Sequence, residues 1–222
     1  MADWPRLGTA KARVVNEVLD KFDRIARGYS EHDYADPARY AARRAAIIVQ
    51  LGPRLGHGES VVDLGCGDGI MATPLTAYGL RYRGVDSSAG MIDAARVRNP
   101  GLPFDVARSE DYEPPEPVDG TICLRSFYYP PDRREFFRRV RSYTRKKFVF
   151  DFRPRVHSQA SIAADLEAAG FGRIAFRPFF LPQLRLLPAG VVPLVYALER
   201  TGPVASLAAR RYGRLFCAAW NL

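Results

Sequence analysis

The chain has 222 residues, 47% of them hydrophobic and 26% charged, enough to bury one core of ordinary size and too apolar for a disordered chain. Its cysteines, Cys66, Cys123 and Cys217, stand far apart with no CxxC pair, which argues against a disulfide framework or a metal site and for a reducing, cytoplasmic compartment. The formal net charge is +9, and all of the excess lies from Arg125 onward, an asymmetry that suits nucleic acid, an anionic membrane surface, an acidic substrate or solvated helix faces.

In chain order, MADWPRLGTAKARVV lacks the apolar core of a signal peptide, and no run reaches the roughly 18 apolar residues of a membrane span. The stretch ARVVNEVLDKFDRIARGY places Val14, Val15, Val18, Leu19, Phe22, Ile25 and Ala26 on one stripe of a core-facing helix. GYSEHDYAD follows as a polar loop with two tyrosines, able to close as a lid. A second helix, Pro37 to Leu51, turns Ala41, Ala45, Ile47, Ile48 and Leu51 inward and Arg43 and Arg44 outward.

From Glu59 to Asp151 short β-branched or aromatic runs alternate with segments of helical period. SVVDLG, YRGVDSS, PFDVARS, DGTICLRS and KFVFDFRP read as strands; IMATPLTAYG, AGMIDAARVR and DRREFFRRVRSYTRK read as helices. Such repeats predict an α/β fold with a doubly wound, mostly parallel sheet that binds ligands at the carboxyl ends of its strands. Downstream come a helix, SQASIAADLEAAG, a strand, FGRIAFRPFF, and a terminal strand, GRLFCAAW. Between those strands residues 181–212 form an insertion with its own helices, broken at Pro188, Pro193 and Pro203. One domain, 1–222, is expected, divided into N-terminal helices and lid (1–58), a binding core (59–155) and a C-terminal part (156–222).

The stretch VVDLGCGDG ends a strand in three alternate glycines, Gly65, Gly67 and Gly69, which tolerate positive φ and let a ligand approach the backbone. Its spacing, D-x-G-x-G-x-G, puts the carboxylate of Asp63 on the strand, where it would repel a pyrophosphate and welcome an ammonium group. Asp86 ends the next strand, where a carboxylate accepts both hydroxyls of a ribose. The expected ligand therefore has a ribose and a cationic amino-acid part.

On these residues the sequence resembles the class I S-adenosylmethionine-dependent methyltransferases, most of all the small-molecule branch that includes quinone-biosynthesis enzymes. The resemblance runs from about Phe22 to the terminal strand and implies the seven-stranded Rossmann-like sheet of that family. It implies that Asp63 and Gly65 hold the methionine amino group, that Cys66, Gly67 and Gly69 shape the turn, that Asp86 holds the ribose, and that Ser87 and Met91 pack near the adenine. Where the family commonly has an acid for the adenine amine this chain has Arg108, so that Glu110, Asp111 or the backbone of Ser109 takes that part. Leu124, Arg125 and Ser126 would flank the methyl donor, and Tyr29 of the lid joins the cofactor-binding set.

The function implied is in-line methyl transfer to a small, apolar or aromatic acceptor. A general base is needed only where the nucleophile must lose a proton, and the candidates are His157 and His32, with Tyr128 and Tyr129 to orient the acceptor or stack on its ring. An RNA or protein methyltransferase and a non-catalytic cofactor-binding protein are the alternatives. No nucleic-acid partner is expected, because SFYYPP has Ser126 where amino-group methyltransferases carry Asn or Asp, and no RNA-binding signature is visible. Apolar residues edged by arginines in 181–212 are expected to roof the acceptor pocket and to touch a membrane surface peripherally.

Overall fold

A computed structural model describes residues 20–201, 205, 208–209 and 213–221. Seven strands form one sheet in the order β3-β2-β1-β4-β5-β7-β6. They are β1 (Ser60–Leu64), β2 (Arg81–Asp86), β3 (Phe104–Val106), β4 (Val118–Cys123), β5 (Thr144–Phe152), β6 (Arg173–Phe179) and β7 (Arg214–Trp220). The first five run parallel, and β7 lies antiparallel between β5 and β6. The order reverses between β1 and β4, and a doubly wound sheet opens its binding crevice at that reversal.

Among the described residues the helices include α1 (20–25 described), α2 (Tyr29–Asp33), α3 (Pro37–Gln50), α4 (Ala72–Thr76), α5 (Ala89–Arg98), α6 (Arg133–Tyr143), α7 (Gln159–Ala168) and α8 (Val192–Leu198), and Ala205, Ala208 and Ala209 are helical as well. Local chemistry starts several of them: Asp36, Ser88, Asp132 and Ser158 each accept a backbone N–H of the first turn of α3, α5, α6 and α7. Pro74 lies within the first turn of α4, where the missing N–H costs little.

Strand alternation sorts the core into two layers. Val62, Leu64, Phe148, Phe150 and Phe152 face α6 and α7 and build an aromatic layer with Phe127, Phe136 and Phe137. Val61, Tyr82, Ile122 and Val149 face α3, α4 and α5. The same period puts Asp63 on that second face, together with Lys147 and Asp151, the residues two before and two after Val149. Lys147 is fully buried, and its Nζ donates to Val49 O at 3.1 Å and Leu51 O at 2.7 Å, satisfying carbonyls at the end of α3.

Several expectations need correction. GYSEHDYAD contains a helix, α2, because Ser30 donates its N–H and hydroxyl to Asp68 at 3.0 and 2.6 Å, a tertiary partner the local pattern does not reveal. Arg44 points inward and is 3% exposed, and Arg43 is half-buried against Glu199 and the Tyr196 ring. Ile25 is 40% exposed; Val14, Val15, Val18 and Leu19 lie outside the described residues. Pro193 begins α8 instead of breaking it, Pro188 precedes it, and Pro203 is outside the described residues. The arginines of α6 are largely engaged within the protein: Arg133 and Arg134 converge on Asp165 of α7, and Arg141 reaches Asn221.

Candidate functional site

A cavity of about 250 Å³ opens at the carboxyl ends of β1, β2 and β4. The turn after β1 forms its floor. Gly65 and Gly67 adopt φ of 72° and 56°, in the left-handed region where a side chain is strained. A Cβ on Gly65 would stand 2.4 Å from Ser126 Oγ, whereas one on Gly67 would meet nothing within 4 Å. Gly65 thus lets the β4 turn close against β1, and Gly67 leaves its backbone open on its side-chain side. Gly69 is outside the lining and packs instead on Asn99, Ala95 and Phe104.

Two carboxylates flank the turn. Asp63 is 1% exposed and accepts the Tyr82 hydroxyl at 3.0 Å, and burial pushes its carboxyl up to about 7. Asp86 accepts the N–H groups of Gly67 and Ser88, each at 2.9 Å, which ties the glycine turn to the end of β2. Burial raises its carboxyl too, against those backbone bonds. Asp68 binds Ser30 and accepts Arg98 Nη2 at 2.8 Å, so α2 is fastened directly to the turn.

Of the expected cofactor residues, Tyr29, Asp63, Gly65, Cys66, Gly67, Asp86, Ser87, Met91, Ser109, Glu110, Leu124, Arg125 and Ser126 line this single cavity. Burial holds the Cys66 thiol protonated and unreactive. Arg108 and Glu110 form an ion pair on the wall, and Asp111 stands outside the lining.

The catalytic candidates are placed differently. His32 bonds the carbonyl of Gly28, His157 packs its ring 5.2 Å from that of Phe127, and Tyr128 is 46% exposed; none of the three lines the cavity. The lining residue is Tyr129, which joins Tyr29 around Phe22 at centroid distances of 6.3 Å. Among the described residues of 181–212 none lines the cavity, and Gln183 donates to Asp33 of α2 at 2.8 Å.

Sequence reasoning missed Tyr34, Arg44 and Asp68 in the lining. Asp68 had a signal, its place inside the glycine motif. Arg44 had a weaker one, since it shares a helix stripe with Tyr40, Ala41 and Ile48. Arg125 adopts φ 60°, the one positive value at a non-glycine among the described residues. Its N–H donates to Asp151 Oδ1 at 2.6 Å, and its Nη1 donates to Asp33 at 2.6 Å and to the Tyr34 hydroxyl at 2.7 Å.

Comparison with known proteins agrees with this geometry. Residues 61–147 match the family model of a methyltransferase domain. Over 114 residues the chain is 36% identical to trans-aconitate 2-methyltransferase of Rhizobium etli, an alignment that covers 50% of this chain and 44% of that enzyme. The match thus spans less than half the length of that relative. Among solved structures, a chain from the complex of the Haloferax volcanii Trm112 methyltransferase activator with its methyltransferase partner superposes with a TM-score of 0.65 at 22% identity, covering 90% of this chain and 96% of that one. Magnesium protoporphyrin IX methyltransferase of Synechocystis PCC 6803, with S-adenosylmethionine bound, superposes with a TM-score of 0.56 at 18% identity, covering 99% and 87%. At these identities the structural likeness is one of fold.

Proposed function

We propose that this chain, which belongs to the class I S-adenosylmethionine-dependent methyltransferases, transfers a methyl group from S-adenosylmethionine to a small molecule held in the same cavity. The observation that carries this function is a pair of carboxylates, the buried Asp63 and the half-buried Asp86, set on either side of an open glycine turn. Burial opposes the ionised form of Asp63, and an ammonium group beside it removes that opposition. Asp86 keeps lone pairs beyond its two backbone bonds, enough to accept ribose hydroxyls. Gly67 lets the ligand reach the main chain, Ser87 and Met91 pack on the adenine side, and Ser109 and Glu110 border it.

The bound cofactor supplies a methyl group already activated on a sulfonium, so the chain's own residues mainly bind, align and exclude water. Burial raises the Tyr29 hydroxyl, and partial desolvation together with the neighbouring Tyr128 raises that of the half-exposed Tyr129 to about 12, so both stay protonated and serve as hydrogen-bond donors that orient an acceptor. Phe22, Tyr29, Tyr34 and Tyr129 offer faces on which a flat or apolar acceptor body packs.

Calorimetry with S-adenosylhomocysteine tests the cofactor assignment. The wild type binds it saturably, and Asp86→Ala weakens it by at least about tenfold, since each charge-assisted hydrogen bond contributes about 1.5–3 kcal/mol. Equal affinity in both proteins sinks the assignment.

A second reading concerns the surface. Leu184, Leu186 and Leu194 are 67–70% exposed next to Arg185, a composition suited to peripheral contact with an anionic membrane. No described helix is long and apolar enough to cross one. Flotation with anionic and neutral vesicles is expected to show salt-sensitive binding to the anionic ones alone; protein left in solution with both refutes it.

A further inference from the structure

Where α3 crosses the carboxyl ends of β4 and β5, guanidinium groups outnumber the carboxylates that meet them. Arg44 is 3% exposed and lines the cavity, yet its Nε and Nη2 have no hydrogen-bond partner among the described residues. Its nearest acid is Asp151, at 3.6 Å from Nη2, beyond hydrogen-bond reach. Asp151 is already engaged. Its Oδ1 takes the Arg125 N–H, and its Oδ2 takes Arg214 Nη1 at 3.1 Å. Arg125 is further bonded to Asp33, so three guanidiniums share two carboxylates here, and one positive charge remains over the cavity. Asp63 faces the same space, but its partner in the function proposed above is the cofactor's ammonium group.

Burying a guanidinium with two donors unused is costly unless something supplies acceptors. Water does this poorly beside an aromatic wall, and Arg44 has one: its guanidinium lies 5.2 Å from the centre of the Tyr40 ring. A carboxylate does it well, because two oxygens in one plane match the fork of an arginine. The strained φ of Arg125, held by its short bond to Asp151, sets a second guanidinium on the same cavity. We infer that Arg44, with Arg125 beside it, holds a carboxylate of the methyl acceptor. The inference rests on the methyl-transfer function proposed above and narrows its acceptor to a small anion with an apolar or flat body.

The test is calorimetry on the chain saturated with S-adenosylhomocysteine, with benzoate and trans-aconitate as carboxylate probes and benzamide as the neutral counterpart of benzoate. At least one carboxylate binds the wild type, and benzamide binds at least about tenfold more weakly than the better of the two. Arg44→Met weakens that carboxylate by at least about tenfold while affinity for S-adenosylhomocysteine stays within about twofold, and Arg44→Lys, which keeps the charge and loses the fork, falls between. Three results overturn the inference: neither carboxylate binds, benzamide binds as well as the better carboxylate, or Arg44→Met weakens S-adenosylhomocysteine as much as the carboxylate. In the last case the guanidinium serves the carboxylate of the cofactor. Should Arg44→Met fail to fold, Arg44→Gln, which keeps a polar side chain at that buried position without the guanidinium fork, is read by the same measures. Failure of the wild type to bind S-adenosylhomocysteine strikes the methyl-transfer function itself; binding of it without any carboxylate strikes this inference alone.

Discussion

The two sides of the cavity are built by different means. On the cofactor side, β1, the glycine turn and β2 lie within 27 positions, from Ser60 to Asp86, and backbone groups do much of the work: Asp86 binds two N–H groups, and Gly67 exposes its main chain. On the side proposed for the acceptor, side chains come from far apart: Arg125 reaches Asp33 across 92 positions, and Gln183 reaches Asp33 across 150. A backbone-built site is set by local conformation and stands nearly complete once its turn forms. A side-chain-built site depends on every packing contact behind it, and its buried charges raise the stakes of each pairing.

The strongest way to break this contrast is at Gly65. Gly65→Ala combines a φ of 72° with a Cβ 2.4 Å from Ser126 Oγ, so a loss of about 2–4 kcal/mol in unfolding free energy is expected. Ser126→Gly removes the collision together with the Ser126 Oγ bond to Leu64 O, so in a Ser126→Gly background the Gly65→Ala change should cost only the strain of the left-handed conformation, about 1–2 kcal/mol. Gly67→Ala should show that smaller cost alone in thermal unfolding, since its Cβ meets nothing within 4 Å. Equal losses at Gly65 and Gly67 would mean that the turn does not close on Ser126.

An intermediate effect is expected from pH. Because burial raises Asp63 to about 7, the folded ligand-free protein keeps a proton that the unfolded chain releases near 4. Its contribution to stability therefore declines as pH rises from about 4 to 7. Ligand binding has the opposite sign: an ammonium group needs the carboxylate, so affinity for S-adenosylhomocysteine should fall by up to about tenfold for each pH unit below 7. Isothermal titration between pH 5.5 and 8 checks the slope. Asp63→Asn should weaken binding and flatten the profile, and an unchanged profile would assign the titration elsewhere.

The smallest effect lies outside the cavity, on the same sheet face as Asp63. Burial lowers Lys147 to about 7, while the unfolded chain keeps its proton to about 10.4. The unfolded state therefore binds more protons above pH 7, and stability should rise from this group by about 1 kcal/mol between pH 7 and 8. Chemical denaturation of the wild type and of Lys147→Met across that range tests it. The variant should lack this increment, and an identical rise in both would clear Lys147.

Much of the fold was legible because the core from Ser60 to Phe152 obeys simple periods. Helix α5 coincides with AGMIDAARVR, and each strand foreseen between Glu59 and Asp151 is present, although PFDVARS pairs only over Phe104–Val106. What misled was charge. Arg44 follows Arg43 in a helix, and two adjacent arginines suggest a solvated face, but a helix turns 100° between them and only Arg44 falls on the buried stripe. His32 and His157 suggested a base by residue type, yet reach into a cavity depends on where their elements pack, which their neighbours in sequence do not state.

By itself the sequence determined the order of strands and helices, the glycine turn and the two carboxylates that flank it, because positive φ, strand alternation and helix capping are properties of residues a few positions apart. Only the tertiary structure decided that α2 is a helix fastened to Asp68, that Arg44 faces inward with two donors unused, and that Tyr129 rather than Tyr128 meets the cavity. Each of these depends on which distant groups share a buried space, and there the energy of a polar side chain is set by the partners that folding brings to it.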